Sequence, residues 1–178
     1  MVPSNAAPRV LNRAHSVTAE VEIPKGGAEG VLFAMGGNDG GFSFYVKGGK
    51  LRYAYNYVAQ DHYNVESSTA IPAGHHFLSC EFKPTGKADP NKGIGTPGTV
   101  RLLIDGKEVG RGDLPVTIPL VMGLGAGASV GADPGSPTTP EYKPPFRFTG
   151  TIKRVQVDLS GESIEDKAAR FRATMARQ

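Results

Sequence analysis

From Gly30 to Tyr57 the chain GVLFAMGGNDGGFSFYVKGGKLRYAYNY repeats one pattern three times. Val31, Phe33 and Met35 alternate with smaller residues, then Phe42, Phe44 and Val46, then Leu51, Tyr53, Tyr55 and Tyr57. Period-2 alternation between Gly-Gly clusters predicts three antiparallel strands with one apolar face. Such a meander needs a second layer over that face. Ser16–Ile23 (SVTAEVEI) predicts a strand with one wet face, and Asn64–Ile71 a polar one. In His75–Phe82, Leu78, Cys80 and Phe82 share a side. Thr99–Gly112 predicts a hairpin turning at Asp105-Gly106, a pair suited to the positive φ of a type I′ turn. Phe146–Leu159 alternates but changes phase, which places a β-bulge near Lys153-Arg154.

Between these runs lie two long irregular segments, Lys83–Gly98 and the proline-rich Gly131–Pro145. The reading is all-β: ten to twelve strands in an antiparallel two-sheet jelly-roll sandwich over residues 10–160. Residues 1–9 read as a linker. Residues 161–178 read as a short C-terminal amphipathic helix, with Ile164, Ala168, Phe171 and Met175 on one stripe and Ser160 or Ser163 as cap.

Composition narrows the function. The 178 residues carry 20 basic and 17 acidic side chains without a Lys/Arg block, which argues against nucleic acid. No apolar run is long enough to span a bilayer, and the N-terminus lacks a signal-peptide core. Cys80 stands alone, so no internal disulfide forms, and its alternation with Leu78 and Phe82 points an inert thiol into the core.

The four histidines (His15, His62, His75, His76) have no metal-binding spacing. Asn38, Asp39 and Asp133 near glycines could offer oxygens to calcium, but such residues in turns more often bond their own backbone. Arg111-Gly112-Asp113 spells an adhesion tripeptide, most simply a coincidence inside a hairpin. Tyr45, Arg52 and Asn56 fall on the polar side of the meander, a candidate sugar- or anion-binding surface, and with Asp133 a candidate domain-contact surface. No nucleophile–base set, phosphate loop or paired-carboxylate cleft is present, so no catalytic or cofactor-binding residue is assigned.

Several blocks resemble a known family. NRAHSVTAEVEIPKGGAEGVLFAMGGNDGGFSFYVKGGKLRYAYNY, IPAGHHFLSCEF, LLIDGKEVG and VGADPGSPTTPEYKPPFRFTGTIKRVQVDL look like the C-terminal β-sandwich of large bacterial arylsulfatases. GVLFAMGG and the strands after it are also similar, more distantly, to laminin-G and concanavalin-A-like sandwiches. The resemblance implies a bacterial protein, cytoplasmic or periplasmic, and a non-catalytic accessory domain packing in cis on a sulfatase catalytic domain. The family's Cys/Ser-X-Pro-X-Arg motif, the source of formylglycine beside a calcium ion, does not carry over. Cys80 is followed by Glu81-Phe82-Lys83-Pro84. Calcium and formylglycine would belong to the parent and no cofactor to this chain. The alternative is a lectin-like carbohydrate-binding module, which the sandwich permits.

Overall fold

The computed structural model describes residues 1–123 and 126–159. The expected C-terminal helix lies outside the described residues. Ten strands follow in chain order: β1 His15–Ile23, β2 Gly30–Gly37, β3 Gly40–Lys47, β4 Lys50–Tyr57, β5 Asp61–Ala70, β6 Gly74–Pro84, β7 Gly98–Ile104, β8 Lys107–Leu114, β9 Ala128–Val130 and β10 Thr151–Asp158. A short 3-10 turn, Pro90–Lys92, interrupts the β6–β7 connection.

Two five-stranded antiparallel sheets result. The meander sheet runs β5-β4-β3-β2-β9 and the second sheet β10-β1-β6-β7-β8. The alternation read from the sequence meets between them. Val17, Ala19 and Val21 of β1, Leu78 and Cys80 of β6, and Val100 and Leu102 of β7 face Phe42, Phe44, Leu51 and Tyr53 of the meander in one cluster. Phe42 stacks on Tyr53 at 5.4 Å and meets Phe33 at 5.7 Å. His15, at the start of β1, stacks on Phe82 at 5.3 Å.

The turns follow their residues. Gly48 and Gly49 both take positive φ (59° and 72°), as a two-residue hairpin requires, and so do Asp105 (52°) and Gly106 (82°). In β8, Gly110 and Gly112 point inward. A Cβ on Gly110 would stand 2.7 Å from the Glu66 carbonyl oxygen, and one on Gly112 2.6 Å from Val65. Their bareness lets β8 close against β5.

One expectation about the strands holds and three need correction. The bulge near Lys153 is present, with Glu20 opposite Arg154 and Val21 opposite Ile152. Register also shifts where the alternation shows no break, between Lys50 and Arg52, between Leu102 and Leu103, and in β2: there Val31 pairs with Tyr45 and Phe33 with Phe44, so Leu32 is the extra residue. Leu32 and Phe33 both turn inward, and Val31 lies on the opposite face from Phe33 and Met35. The last strand begins at Thr151, because Phe146 and Phe148 lie on the connection before it. Finally, the first residues engage the domain: Val2 exchanges two backbone hydrogen bonds with Ala128, and Ala7 joins the main core.

Candidate functional site

The outward faces of the two sheets differ in kind. On the meander sheet, the outward positions form three rows. Ala34, Ser43, Ala54 and Asn64 make a trough of small residues across β2 to β5, with Val31, Tyr45, Arg52 and Glu66 on one side of it. The third row includes Asn56, at the far end of β4.

The proline-rich connection 131–147 crosses this face as a strap. Tyr142 lies over the trough, meets Tyr45 edge-on at 5.2 Å and stacks on Phe146 at 4.9 Å. Together with Val31, Ala34 and Ala54 these rings form a second, smaller apolar cluster. The Tyr142 hydroxyl donates to Asp133 Oδ2 at 2.7 Å and accepts from Ser43 Oγ at 2.8 Å. Burial is the main force raising the Asp133 carboxyl above its ordinary range, and the Tyr142 hydrogen bond opposes it. Burial likewise pushes the Tyr45 phenol up, reinforced by the Glu141 carboxylate. Arg52 reaches Glu141 at 2.8 Å and Glu66 at 2.7 Å, and the Lys47 ammonium donates to the Glu141 carbonyl.

The residues expected to form a polar, solvated surface therefore have other positions. Tyr45 and Asn56 are each 1% exposed and Asp133 4%. All three of Tyr45, Arg52 and Asp133 meet the strap: Tyr45 lies against its Tyr142, Arg52 is paired with its Glu141, and Asp133 is part of it and accepts from Tyr142. Asn56 sits apart, where its Nδ2 donates to the Gly37 and Asn38 carbonyls and its Oδ1 accepts from the Ala59 N–H. It is a latch on the β2–β3 turn. The wet-face reading fails because Val31, Ala34 and Ala54 give that face apolar ground for Tyr142 to cover.

The second sheet presents the opposite surface. Ser16, Glu81, Arg101 and Arg111 stand opposite one another across β1, β6, β7 and β8. Arg101 holds Glu81 through Nε (3.0 Å) and Nη2 (2.6 Å) and reaches Glu108 through Nη1 at 3.2 Å. Arg111 takes Glu108 from the other side, through Nε at 2.8 Å and Nη2 at 2.9 Å. These hydrogen bonds hold the Glu108 carboxyl below its usual range. Beside that row, Lys83, Thr99 and Asp113 form a second, and Thr99 Oγ1 donates to Asp113 at 2.8 Å.

A groove of about 550 Å³ opens here, lined by Lys83, Thr99, Arg101 and Arg111 among others, with His15 and Phe82 at its inner end. Burial between these rings lowers the His15 pKa from 6.5 to about 4. The adhesion-like triplet is part of this wall: Arg111 and Asp113 are tied to Glu108 and Thr99, while Gly112 faces Val65.

Other expectations resolve separately. Cys80 is buried, and loss of hydration pushes its thiol pKa upward. His75 pairs with Glu20 at 2.9 Å and His76 with Asp105 at 2.7 Å. Among the described residues no group of three or more His, Cys, Asp or Glu could hold a metal ion. No helix among them is long and apolar enough to cross a membrane. The charged row does not show in the sequence because its members come from four separate strands. Glu81 and Arg101 both occupy outward positions, a usable signal, but only strand order makes them neighbours.

Solved structures share this architecture at low sequence identity. The Ruminococcus gnavus IT-sialidase CBM40, a carbohydrate-binding module, gives a TM-score of 0.59 at 14% identity, over 89% of this chain and 83% of that one. The same module bound to α2,3 sialyllactose gives 0.58 at 15%, over 89% and 82%. The mouse laminin α1 chain, domains LG4-5, gives 0.55 at 11%, over 89% of this chain and 38% of that one. The fold is a jelly roll of the concanavalin-A/laminin-G kind. No family model and no curated protein matches the chain. None of these comparisons shows a sulfatase parent.

Proposed function

We propose that the chain is a non-catalytic, lectin-like carbohydrate-binding module whose ligand face is the groove on the second sheet. The observation that carries this is the ladder Glu81–Arg101–Glu108–Arg111, whose Glu81, Arg101 and Arg111 line a groove of about 550 Å³ together with Lys83 and Thr99. A sugar presents hydroxyls that both donate and accept, and alternating guanidinium and carboxylate groups offer both partners in fixed planes. Four strands span three inter-strand spacings, about 14 Å, enough for a short oligosaccharide. The sialidase module of similar fold, solved with sialyllactose, supports the reading by analogy.

Residence beside a sulfatase catalytic domain rests on the sequence blocks alone and stands second. In either setting the purified chain is expected to show no aryl sulfate turnover.

A glycan array followed by calorimetry, with and without calcium, tests the proposal. Binding to at least one glycan class is expected, with affinity reduced in Arg101→Ala. No binding to any glycan would sink the module reading and leave the packing role.

A further inference from the structure

The groove lining is unbalanced in charge. Lys83, Arg101 and Arg111 line it against one carboxylate, Glu81. Glu81 is held by two nitrogens of Arg101. Glu108 and Asp113 stand outside the lining: Glu108 grips both guanidinium groups, and Asp113 accepts from Thr99. Such carboxylates fix arginine forks in place, a preorganisation that lowers the cost of binding. Arg111 gives Nε and one hydrogen of Nη2 to Glu108 and leaves Nη1 and the other Nη2 hydrogen, the end-on edge of the fork, on a side chain that is 56% exposed. Lys83 is exposed and makes no ion pair with a described residue.

Lys83 and Arg111 lie two strands apart and on adjacent rows, about 12 Å between backbones: Thr99 faces Lys83 and Asp113, Arg111 faces Arg101, and Asp113, held by Thr99, stands at the rim between them. Their long side chains bracket a space that suits a small, planar or tetrahedral anion. A neutral hydroxyl there would leave the Lys83 ammonium and the free edge of Arg111 to water. On the opposite sheet the described cations of β3 and β4 are already engaged: Arg52 by Glu66 and Glu141, Lys50 by Glu66, and Lys47 by the Glu141 carbonyl.

We infer that the groove selects a glycan bearing an anionic group, a sugar carboxylate or a sulfate ester, seated between Arg111 and Lys83. This rests on the carbohydrate-binding reading and sharpens it. Arg111 would contribute geometry as well as charge, because a guanidinium meets a carboxylate or sulfate with two parallel N–H donors where an ammonium offers a point charge.

The test is calorimetry on the full chain with sialyllactose, lactose 3′-sulfate and lactose, at about 50 and 200 mM salt, beside an array of neutral glycans. One acidic sugar is expected to bind at least about ten-fold tighter than lactose and to weaken as salt screens the charges. The preferred acidic arm distinguishes carboxylate from sulfate. Lys83→Ala and Arg111→Ala should each lower that affinity by about ten-fold, the loss of one charge-assisted contact. Arg111→Lys should recover only part of it. Both side chains are exposed, so an unchanged thermal midpoint will certify the variants as folded. Lactose or neutral array glycans binding as tightly as the acidic sugars would overturn the charge inference and leave the module reading standing. Acidic binding unaffected by either alanine variant would overturn it too. No binding to any of these glycans would overturn both.

Discussion

The two outward faces of this sandwich begin from similar strand patterns and end as opposites. On the meander sheet, Tyr45 and Arg52 are covered or engaged by a strap from far along the chain. On the second sheet, Arg101 and Arg111 are engaged by their own neighbours, within the sheet, and remain along a groove. The difference lies in what stands between the polar residues. Val31, Ala34 and Ala54 give the meander face apolar area that gains by burial, and Tyr142 fills it. The second face alternates charge with hydroxyl along its groove and gains little from being covered. One face became a second core, and the other kept its polar groups available to a ligand.

The sharpest way to break this contrast is Tyr142→Ala. It removes the ring between Tyr45 and Phe146 and takes the hydroxyl from a buried carboxylate. A loss of about 3–5 kcal/mol is expected, read as a fall in the urea midpoint. Tyr142→Phe isolates the hydroxyl and should cost about 1–3 kcal/mol at pH 7. Asp133 has its pKa raised, so the folded state holds that proton more tightly than the unfolded chain. The Tyr142→Phe deficit should therefore shrink as pH falls and the buried charge is neutralised.

His15 supplies an effect of opposite sign on the groove side. Its pKa is lowered from 6.5 to about 4, so between those values the unfolded chain binds a proton that the folded chain refuses. Stability is complete above pH 6.5 and falls by about 1.4 kcal/mol per pH unit toward pH 4, about 3 kcal/mol in all. Urea titrations from pH 7 to 4.5 should show this slope flattened in His15→Phe, which keeps the stacking on Phe82. The smallest effect belongs to Arg101→Ala. Arg101 is 33% exposed and its partners Glu81 and Glu108 are 15% and 34% exposed, so losing these pairs should cost about 1 kcal/mol, a small shift in melting temperature, while ligand binding suffers. A large loss of stability there would erase the distinction between the faces.

Much of the sandwich was legible because strand alternation and turn chemistry are local. Asp105-Gly106, the bulge at Lys153 and the inward run Leu78–Cys80–Phe82 could each be read within a dozen residues. The burial of Tyr45 could not. Its cover comes from Tyr142 and Phe146, two aromatics in a proline-rich segment that shows no periodicity. The available warning was β2, where all eight residues are buried and Val31 and Ala34 carry apolar surface to the supposed wet face. The ladder Glu81–Arg101–Arg111 needed the strand order as well: β7 and β8 form a local hairpin, but β6 becomes the neighbour of β7 only once the sheet is assembled. Parity places a residue on a face, and topology decides its company.

The pairing of β1 with both β6 and β10 bears on how the domain is made. Val17 is opposite Cys80 on one side and Val157 on the other, and Arg13 donates to the Leu159 carbonyl across 146 positions of chain. During synthesis the first strand emerges long before either partner. Its open edge must wait for nearly the whole domain, which favours slow assembly. Glu20 and Glu22 on that strand carry like charge through the interval, a local defence against pairing with a stranger.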